Sequence, residues 1–169
     1  MAPKGTIVVT GTNGGLGSSI VSRIVSTPEI ADNYYGLYTI RKVETATTLN
    51  EALRPASASH EHQAIALDLG RLSSVREVAK DINARVASGQ IPPIRALILN
   101  AGYQEHTTQD FSEDGFDLSF QANYLGHWLL TLLLLESFDK EDGRIVVVGS
   151  WTHEQVPTRA RRFQGNIHS

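Results

Sequence analysis

Apolar residues along the chain form short continuous runs, which alternate with longer segments where they recur at helical spacing. The first run, Thr6-Ile7-Val8-Val9-Thr10, is β-branched and ends at a glycine cluster, as is typical of a buried strand. From Leu16 to about Ser26 the spacing is helical, and Thr27-Pro28 ends that helix. The same criteria predict strands at 35–40, 64–67, 94–99 and 144–148, a helix ending at residue 53, and helices at 73–87 and 112–138.

The order of these elements indicates the fold class. Strands that alternate with helices predict right-handed crossovers and a parallel sheet covered on both faces. The strands are continuous apolar runs, as burial on both faces requires. We therefore expect a doubly wound α/β fold of about five strands. Residues 1–150 would form the single domain, and residues 151–169 an irregular C-terminal tail.

A glycine-rich segment, Thr10-Gly11-Thr12-Asn13-Gly14-Gly15-Leu16-Gly17, joins the first strand to the first helix. Glycine there permits positive φ angles and lets a pyrophosphate approach the backbone N–H groups of a helix N-terminus. A simple glycine-rich turn is the alternative. The position after the first strand of a βαβ series favours a nucleotide-binding loop.

Composition narrows the range of functions. The formal net charge of −3 gives no basic surface for nucleic acid, and the absence of cysteine excludes disulfides, zinc–thiolate sites and cysteine nucleophiles. The N-terminus carries no apolar signal-peptide core, and the longest apolar stretch, Trp128 to Leu135, is too short to span a bilayer. We expect a cytoplasmic protein. No metal site is expected, because His60-Glu61-His62 has no third ligand at a usable spacing.

The glycine spacing is T-G-x-x-x-G-x-G, with Gly11, Gly15 and Gly17, and it resembles that of the short-chain dehydrogenase/reductase family. Four further segments agree with the family in the same order, and the last two are similar to its retinol-dehydrogenase-like branch. These segments are Leu67-Asp68-Leu69, Leu99-Asn100-Ala101-Gly102, Asn123 to Thr131 and Val146 to His153. The resemblance implies a Rossmann sheet with strand order 3-2-1-4-5 that lacks the family's last strands.

The resemblance also implies a dinucleotide cofactor. It places Asp68 against the adenine amino group, and it makes residues 100–102, the N-A-G turn, a support for the sheet and a lining for the cofactor. The cofactor-binding residues that it implies in this chain are Thr10, Gly11, Asn13, Gly15, Leu16, Gly17, Asp68, Leu69, Asn100, Ala101 and Gly102.

The residue after the second strand predicts which dinucleotide is bound. Folds that prefer NAD usually carry an acidic residue there, which holds the ribose 2′-hydroxyl. This chain has Arg41, with Lys42 beside it. A guanidinium suits a 2′-phosphate, so NADP(H) is favoured over NAD(H). The alternative is that both residues are solvated surface charges.

The resemblance implies hydride transfer between nicotinamide and the alcohol, ketone or aldehyde of a small molecule. In this family a tyrosine exchanges the proton, a lysine four positions later lowers the pKa of that tyrosine, a serine orients the substrate oxygen and an asparagine helps to position the lysine. Ser150 matches the serine and Asn123 matches the asparagine. All tyrosines and lysines precede Ser150, so no Tyr-x-x-x-Lys follows it, and the resemblance implies a C-terminally truncated member.

Two other interpretations stay open. The chain could be a non-catalytic NADP(H)-binding protein or scaffold that pairs with another chain, or with its own copy, through the 112–138 helix; alternatively, a partner chain could supply the tyrosine and lysine. The face of that helix bearing Trp128, Leu129, Leu132 and Leu133 is expected to be exposed, and the fifth strand to form a sheet edge. His127 is interpreted as a packing neighbour of Asn123 rather than a proton relay.

Overall fold

Five parallel strands form one sheet in the computed structural model, which describes residues 2–105 and 107–150. The strands are β1 (Thr6–Val9), β2 (Tyr35–Ile40), β3 (His62–Ala66), β4 (Ile94–Leu99) and β5 (Arg144–Val147). Their order in the sheet is β3-β2-β1-β4-β5, which confirms the predicted order. Val8 of β1 is paired with Leu37 of β2 and Leu97 of β4.

Helices cover both faces of the sheet, so the doubly wound α/β prediction is confirmed. The helices are α1 (Gly15–Val25), α2 (Pro28–Ala31), α3 (Thr47–Leu53), α4 (Leu72–Ala87), α5 (Leu118–Phe120) and α6 (Gly126–Leu134). Val8, Leu37 and Leu97 belong to the core on the side of α4 and α6, whereas Ile7 and Val9 belong to the core on the side of α1 and α3. A π-helical turn (Gln121–Leu125) joins α5 to α6, and 3-10 turns lie at Val43–Thr45 and Leu135–Ser137.

The predicted helix over 112–138 is wrong at its start. The backbone N–H of Ser112 donates to the carbonyl of Phe116 (2.8 Å), and Gly115 has φ +83°, so this stretch is a turn. Helical structure begins only after Asp117, whose carboxylate accepts the N–H of Phe120 (2.9 Å). Serine, aspartate and glycine favour turns and caps because their side chains compete for backbone hydrogen bonds or permit positive φ.

Two smaller differences have local causes. Pro28 ends α1 as predicted, but it also begins α2, since proline at the first helical position lacks only an N–H that would have had no partner. β3 starts at His62, two residues before the predicted Ala64, because its pairing with β2 begins at Gly36 and His62.

The exposed apolar surface agrees with the sequence prediction only in part. β5 is the edge of the described sheet, and Val147 is 70% exposed. On the long helical segment, Trp128 (53%) and Leu132 (47%) are exposed, as expected. Leu129 and Leu133 instead pack against the core. Among the described residues no helix is both long enough and apolar enough to cross a bilayer.

The core position of Leu97 predicts a measurable stability difference. Leu97 is 0% exposed, and its replacement by alanine leaves a cavity in the sheet, so Leu97→Ala is expected to lower the free energy of unfolding by about 2–5 kcal/mol. The matched control, Leu132→Ala on the exposed face of α6, should cost less than about 1 kcal/mol. Urea unfolding of both variants checks this, and equal losses would contradict the assigned core.

Candidate functional site

A cleft of about 350 Å³ opens at the carboxyl ends of β1, β2 and β4. At this point β1 has β2 on one side and β4 on the other, so the strand order changes direction at β1. Open α/β sheets bind ligands at such a position. Most of the predicted cofactor-binding residues line it: Gly11, Asn13, Leu16, Gly17, Arg41, Asp68, Leu69, Asn100, Ala101 and Gly102. Thr10 and Gly15 do not line it.

The glycines of the 10–17 loop serve two different physical needs. Gly11 has φ +71°, and a Cβ there would lie 2.6 Å from the Cα of Ala101; a Cβ on Gly17 would collide with the Gly11 carbonyl and lie 2.7 Å from Asn100 Nδ2. These two positions require glycine so that the loop can pack against the N-A-G turn. At Gly15 a Cβ would meet nothing within 4 Å. The protein itself leaves that space open, at the first residue of α1, where a pyrophosphate would approach backbone N–H groups.

Thr10 is buried beneath this loop and joins β1 to β4. Its Oγ1 accepts the backbone N–H groups of Asn100 (2.9 Å) and Ala101 (3.0 Å), and it lies 2.9 Å from His127 Nε2. Thr10 is therefore placed to support the cleft from below, and its predicted direct role in cofactor binding stays a prediction.

The side chain of Asn100 is only half used within the protein. Its Nδ2 donates to the carbonyl of Thr10 (2.9 Å), whereas its Oδ1 is buried and has no hydrogen-bond partner among the described residues. A buried amide oxygen without a partner costs free energy. This atom and the open space at Gly15 both fit a polar ligand in the cleft.

Asn13 lines the cleft, and its side chain is hydrogen-bonded within the protein. Nδ2 donates to the carbonyl of Thr45 (2.9 Å), and Oδ1 accepts the N–H groups of Thr48 (3.1 Å) and Leu49 (3.2 Å). The side chain therefore fastens the start of α3 to the glycine loop, although it was predicted only as a cofactor-binding residue.

Arg41 and Asp68 stand at the mouth of the cleft, where β2 and β3 end. Arg41 is exposed and directly follows the last residue of β2. The next residue, Lys42, is also basic, so neither position carries the acidic residue that is typical of NAD-binding folds. Asp68 Oδ1 accepts the N–H of Gly70 (3.0 Å), which fixes the turn after β3. Leu69, beside it, is buried.

Asn123 lies in the π-helical turn and holds a second wall of the cleft. Its Oδ1 accepts the N–H of Tyr103 (2.6 Å), and its Nδ2 donates to the carbonyl of the same residue (2.7 Å). Both ends of the amide thus fix the backbone just after the N-A-G turn. Ser150 lies three residues beyond β5, on the carboxyl side of the sheet, and is exposed.

Several cleft residues were missed in the sequence, and Tyr103 is one of them. It lines both the cleft and an adjoining cavity of about 240 Å³ that also contains Arg41, Arg71 and Phe111. Arg71 there forms an ion pair with Glu113 at 3.3 Å. The usable signal was adjacency, because most missed residues directly neighbour a predicted one. They are Gly14, Thr39, Ile40, Leu67, Gly70, Tyr103 and Ala122.

His60 and His62 form a packing cluster with Tyr38. Tyr38 Oη lies 3.0 Å from His60 Nε2, His60 Nδ1 lies 2.9 Å from the Ala31 carbonyl, and the two imidazoles stack with centroids 5.2 Å apart. Burial raises the pKa of the Tyr38 phenol. Among residues 2–105 and 107–150, no group of three or more histidines and carboxylates is placed to hold a metal ion.

Comparison with known proteins places the chain in a family. A family model described as short chain dehydrogenase matches residues 5–160. The chain belongs to the short-chain dehydrogenase family. The short-chain dehydrogenase iccH of Talaromyces variabilis is 60% identical over 158 residues, 92% of this chain and 43% of that protein. Polyprenol dehydrogenase of Danio rerio is 35% identical over 156 residues, 86% of this chain and 43% of that protein.

Solved structures of other short-chain dehydrogenases share the fold. A metagenomic short-chain oxidoreductase in complex with NADP superposes with a TM-score of 0.68 at 21% identity, over 91% of this chain and 66% of that one. A Burkholderia cenocepacia short chain dehydrogenase in complex with NADP gives 0.68 at 22% identity, over 92% and 59%. The chain spans about two fifths of the length of the curated relatives above.

Some of the sequence predictions for this member of the family stay predictions. The narrower assignment to the retinol-dehydrogenase-like branch stays a prediction. The proposed tail at 151–169, including the last part of the Val146-to-His153 motif, lies outside the described residues.

Two buried histidines predict a pH dependence of stability. Burial lowers the pKa of His60 and of His127 below the ordinary value of 6.5, so the unfolded chain binds protons there more readily than the folded one. The free energy of unfolding should therefore fall as the pH drops below about 6.5, by up to about 1.4 kcal/mol per pH unit for each histidine.

Urea unfolding between pH 5 and pH 8 measures this dependence. His60→Gln removes one of the two histidines and is expected to reduce the slope by about half. A free energy of unfolding that stays constant from pH 7.5 to pH 5.5 would contradict the burial of both imidazoles in the native state.

Proposed function

We propose that this chain is the dinucleotide-binding part of an NADP(H)-dependent short-chain dehydrogenase/reductase that acts on the alcohol, ketone or aldehyde of a small molecule. One observation carries the proposal. The cleft at the carboxyl ends of β1 and β4 joins an open glycine loop to the Arg41 guanidinium at its mouth, and the two residues that follow β2, Arg41 and Lys42, are both basic. The solved relatives with NADP in their complexes have the same fold, which supports the proposal.

In the proposed complex the pyrophosphate lies against the N-terminus of α1. The side chain of Leu16 is 58% exposed, and a Cβ on Gly15 would meet open space, so none of the described residues hinders a ligand from reaching the first N–H groups of this eleven-residue helix. Those N–H groups lack carbonyl partners within the helix and carry the positive end of its dipole. An anion is therefore the ligand that this end of the cleft favours.

The 2′-phosphate of the adenine ribose is assigned to Arg41. Its guanidinium offers donors in a planar fork that matches two phosphate oxygens, and its exposure lets it reach the ligand without burying an unpaired charge. The adenine amino group would reach the carboxylate of Asp68, whose orientation is fixed by the N–H of Gly70. The Asp68 assignment keeps the role that the family resemblance implied, and the Arg41 assignment keeps the role predicted from its position after the second strand.

Nicotinamide, when bound, supplies a hydride acceptor or donor for a carbinol or carbonyl carbon. Ser150 is assigned to hold the substrate oxygen, and Asn123 to support this end of the cleft through its two bonds to Tyr103. No Tyr-x-x-x-Lys pair follows Ser150 in these 169 residues. Turnover is therefore proposed for the whole-length protein, of whose curated relatives this chain spans about two fifths.

A second candidate is a non-catalytic NADP(H)-binding protein that pairs with another chain, or with a second copy of itself, through the long helical segment. The observation that favours it is a ladder of stacked, half-exposed rings, Phe120, Tyr124 and Trp128, with centroids 5.5 and 6.4 Å apart. Sedimentation at increasing concentration tests self-association. A turnover assay of the whole-length protein with NADPH and a ketone separates the two candidates.

A cytoplasmic location stays a proposal that rests on the sequence alone.

Arg41→Glu tests the choice of dinucleotide. A carboxylate there repels a 2′-phosphate and accepts hydrogen bonds from ribose hydroxyls, so the NADPH dissociation constant should rise roughly 10- to 100-fold while that of NADH changes little or falls. Fluorescence titration with both dinucleotides measures the ratio. Arg23→Glu, the same charge change at the opposite end of α1, is the matched control and should leave the ratio unaltered.

Two results would count against the proposal. An unchanged NADPH-to-NADH ratio in Arg41→Glu would show that Arg41 is only a surface charge. No NADPH binding to the unmodified chain at millimolar cofactor would reject the dinucleotide site itself.

A further inference from the structure

We infer that His127 is a positioning residue: in its neutral form, with the proton on Nδ1, it locks the glycine loop, the N-A-G turn and the π-helical turn into the arrangement that binds the dinucleotide. The effect of His127 on dinucleotide affinity rests on the proposed function, whereas the position of its proton does not depend on any ligand. The sequence predicted only a packing role for His127.

His127 lies at the meeting point of three walls of the cleft. It is the second residue of α6, is only 6% exposed, and places its two ring nitrogens against different elements. Nε2 lies 2.9 Å from Thr10 Oγ1, at the end of β1. Nδ1 lies 3.3 Å from the carbonyl of Asn123, in the π-helical turn.

The hydrogen bonds of Thr10 fix which ring nitrogen carries the proton. A threonine hydroxyl has one hydrogen and two lone pairs, and Oγ1 already accepts the N–H groups of Asn100 (2.9 Å) and Ala101 (3.0 Å). It can therefore meet Nε2 only by donating its own hydrogen. Nε2 is then the acceptor, and the neutral ring carries its proton on Nδ1, where it donates to the Asn123 carbonyl.

This chain of bonds continues to the ligand side of the cleft. Asn123, whose carbonyl accepts the imidazole proton, also grips both backbone groups of Tyr103 through its side chain. Thr10, at the other end, holds the N-A-G turn, against which Gly11 packs closely. One imidazole thus links the loop that faces the pyrophosphate with the segment that follows the N-A-G turn.

A second proton on this ring would break the chain of bonds. An Nε2–H would point at a hydroxyl oxygen whose lone pairs are both occupied, so Thr10 would have to release the N–H of Asn100 or Ala101. Its own hydrogen would be left with the Ile98 carbonyl, 3.4 Å away, which already accepts the Thr10 N–H at 3.0 Å. Protonation is therefore expected to loosen the cleft and weaken dinucleotide binding at acidic pH.

Among the described residues, the groups within hydrogen-bond distance of the ring are Thr10 Oγ1 and the carbonyl of Asn123, and neither is ionisable. The backbone N–H groups of Asn100 and Ala101, which Thr10 Oγ1 accepts, are also uncharged. Burial lowers the pKa of His127, and the Asn123 carbonyl opposes that shift in part.

The first experiment measures the tautomer in the full 169-residue chain without ligand. Long-range ¹H–¹⁵N correlation of histidine-labelled protein at pH 7.5 should show His127 with a protonated Nδ1 and an unprotonated Nε2, assigned through its backbone or by loss of the signal in His127→Gln. A proton on Nε2, or a doubly protonated ring, would overturn the inference.

The second experiment measures the NADPH dissociation constant between pH 8 and pH 5.5. Thr10→Val removes the hydroxyl, and His127→Gln removes the imidazole; each should raise the dissociation constant about tenfold at pH 7.5, the effect of one buried hydrogen bond. Thr10→Ser retains the hydroxyl and should rescue affinity to within about threefold. The unmodified chain should bind more weakly at pH 5.5 than at pH 7.5, and His127→Gln should lose that dependence. His62→Gln, on the exposed start of β3, is the control.

The outcomes separate the inference from the proposed function. In one result, the unmodified chain binds NADPH normally but carries its His127 proton on Nε2; in another, Thr10→Val and His127→Gln show the same NADPH dissociation constant as the unmodified chain. Either result rejects the role of His127 and leaves the proposed function standing. Variants that melt earlier but keep both affinity and its pH dependence would show that the contact is only structural, which also rejects it. No NADPH binding by the unmodified chain rejects the proposed function, and with it the effect on affinity. If His127→Gln does not fold, the Thr10 pair and the tautomer still decide.

Discussion

The hydroxyl of Thr10 is the contact on which the described structure depends most. It accepts two consecutive backbone N–H groups, those of Asn100 and Ala101, and so joins the end of β1 to the end of β4. A parallel sheet has no tight turn between such neighbours, so hydrogen bonds beyond the strands, such as these two, hold their carboxyl ends together. Because Gly11 and Gly17 pack against the same turn, the position of the whole glycine loop follows from this one bonded seam.

The cleft follows from that seam and from the strand order. β1 pairs with β2 on one side and with β4 on the other, and the chain crosses over the sheet in opposite directions from this point. The crevice between the two crossovers is lined by Arg41, Asp68 and Asn100, which follow the ends of β2, β3 and β4. These polar groups come from separate segments of the chain. They converge because parallel strands place all their carboxyl ends at one edge of the sheet.

Much of this arrangement could be predicted from the sequence, since β-branched runs and glycine spacing depend on local sequence alone. Strands β2 and β4 were predicted to the residue, and ten of the twelve residues predicted to bind the cofactor line the cleft. The turn at 112–117 was missed because helical periodicity was extended through Ser112 and Gly115, whose preferences oppose a helix. The bonds of the Asn13 side chain to the 45–49 segment and the contact of His127 with Thr10 could not be found, because they join residues 32 to 117 positions apart.

The central claim is that the cleft between β1 and β4 binds NADP(H) through the glycine loop and Arg41. Backbone ¹H–¹⁵N spectra of the chain, recorded while NADPH is added, test it most directly, because they report location as well as affinity. The expected result is saturable shifts confined to residues 11–17, 41–42, 68–70 and 100–103, together with the side-chain amide of Asn100. Shifts that spread over the exposed face of the long helical segment, or no shifts at millimolar NADPH, would contradict the claim.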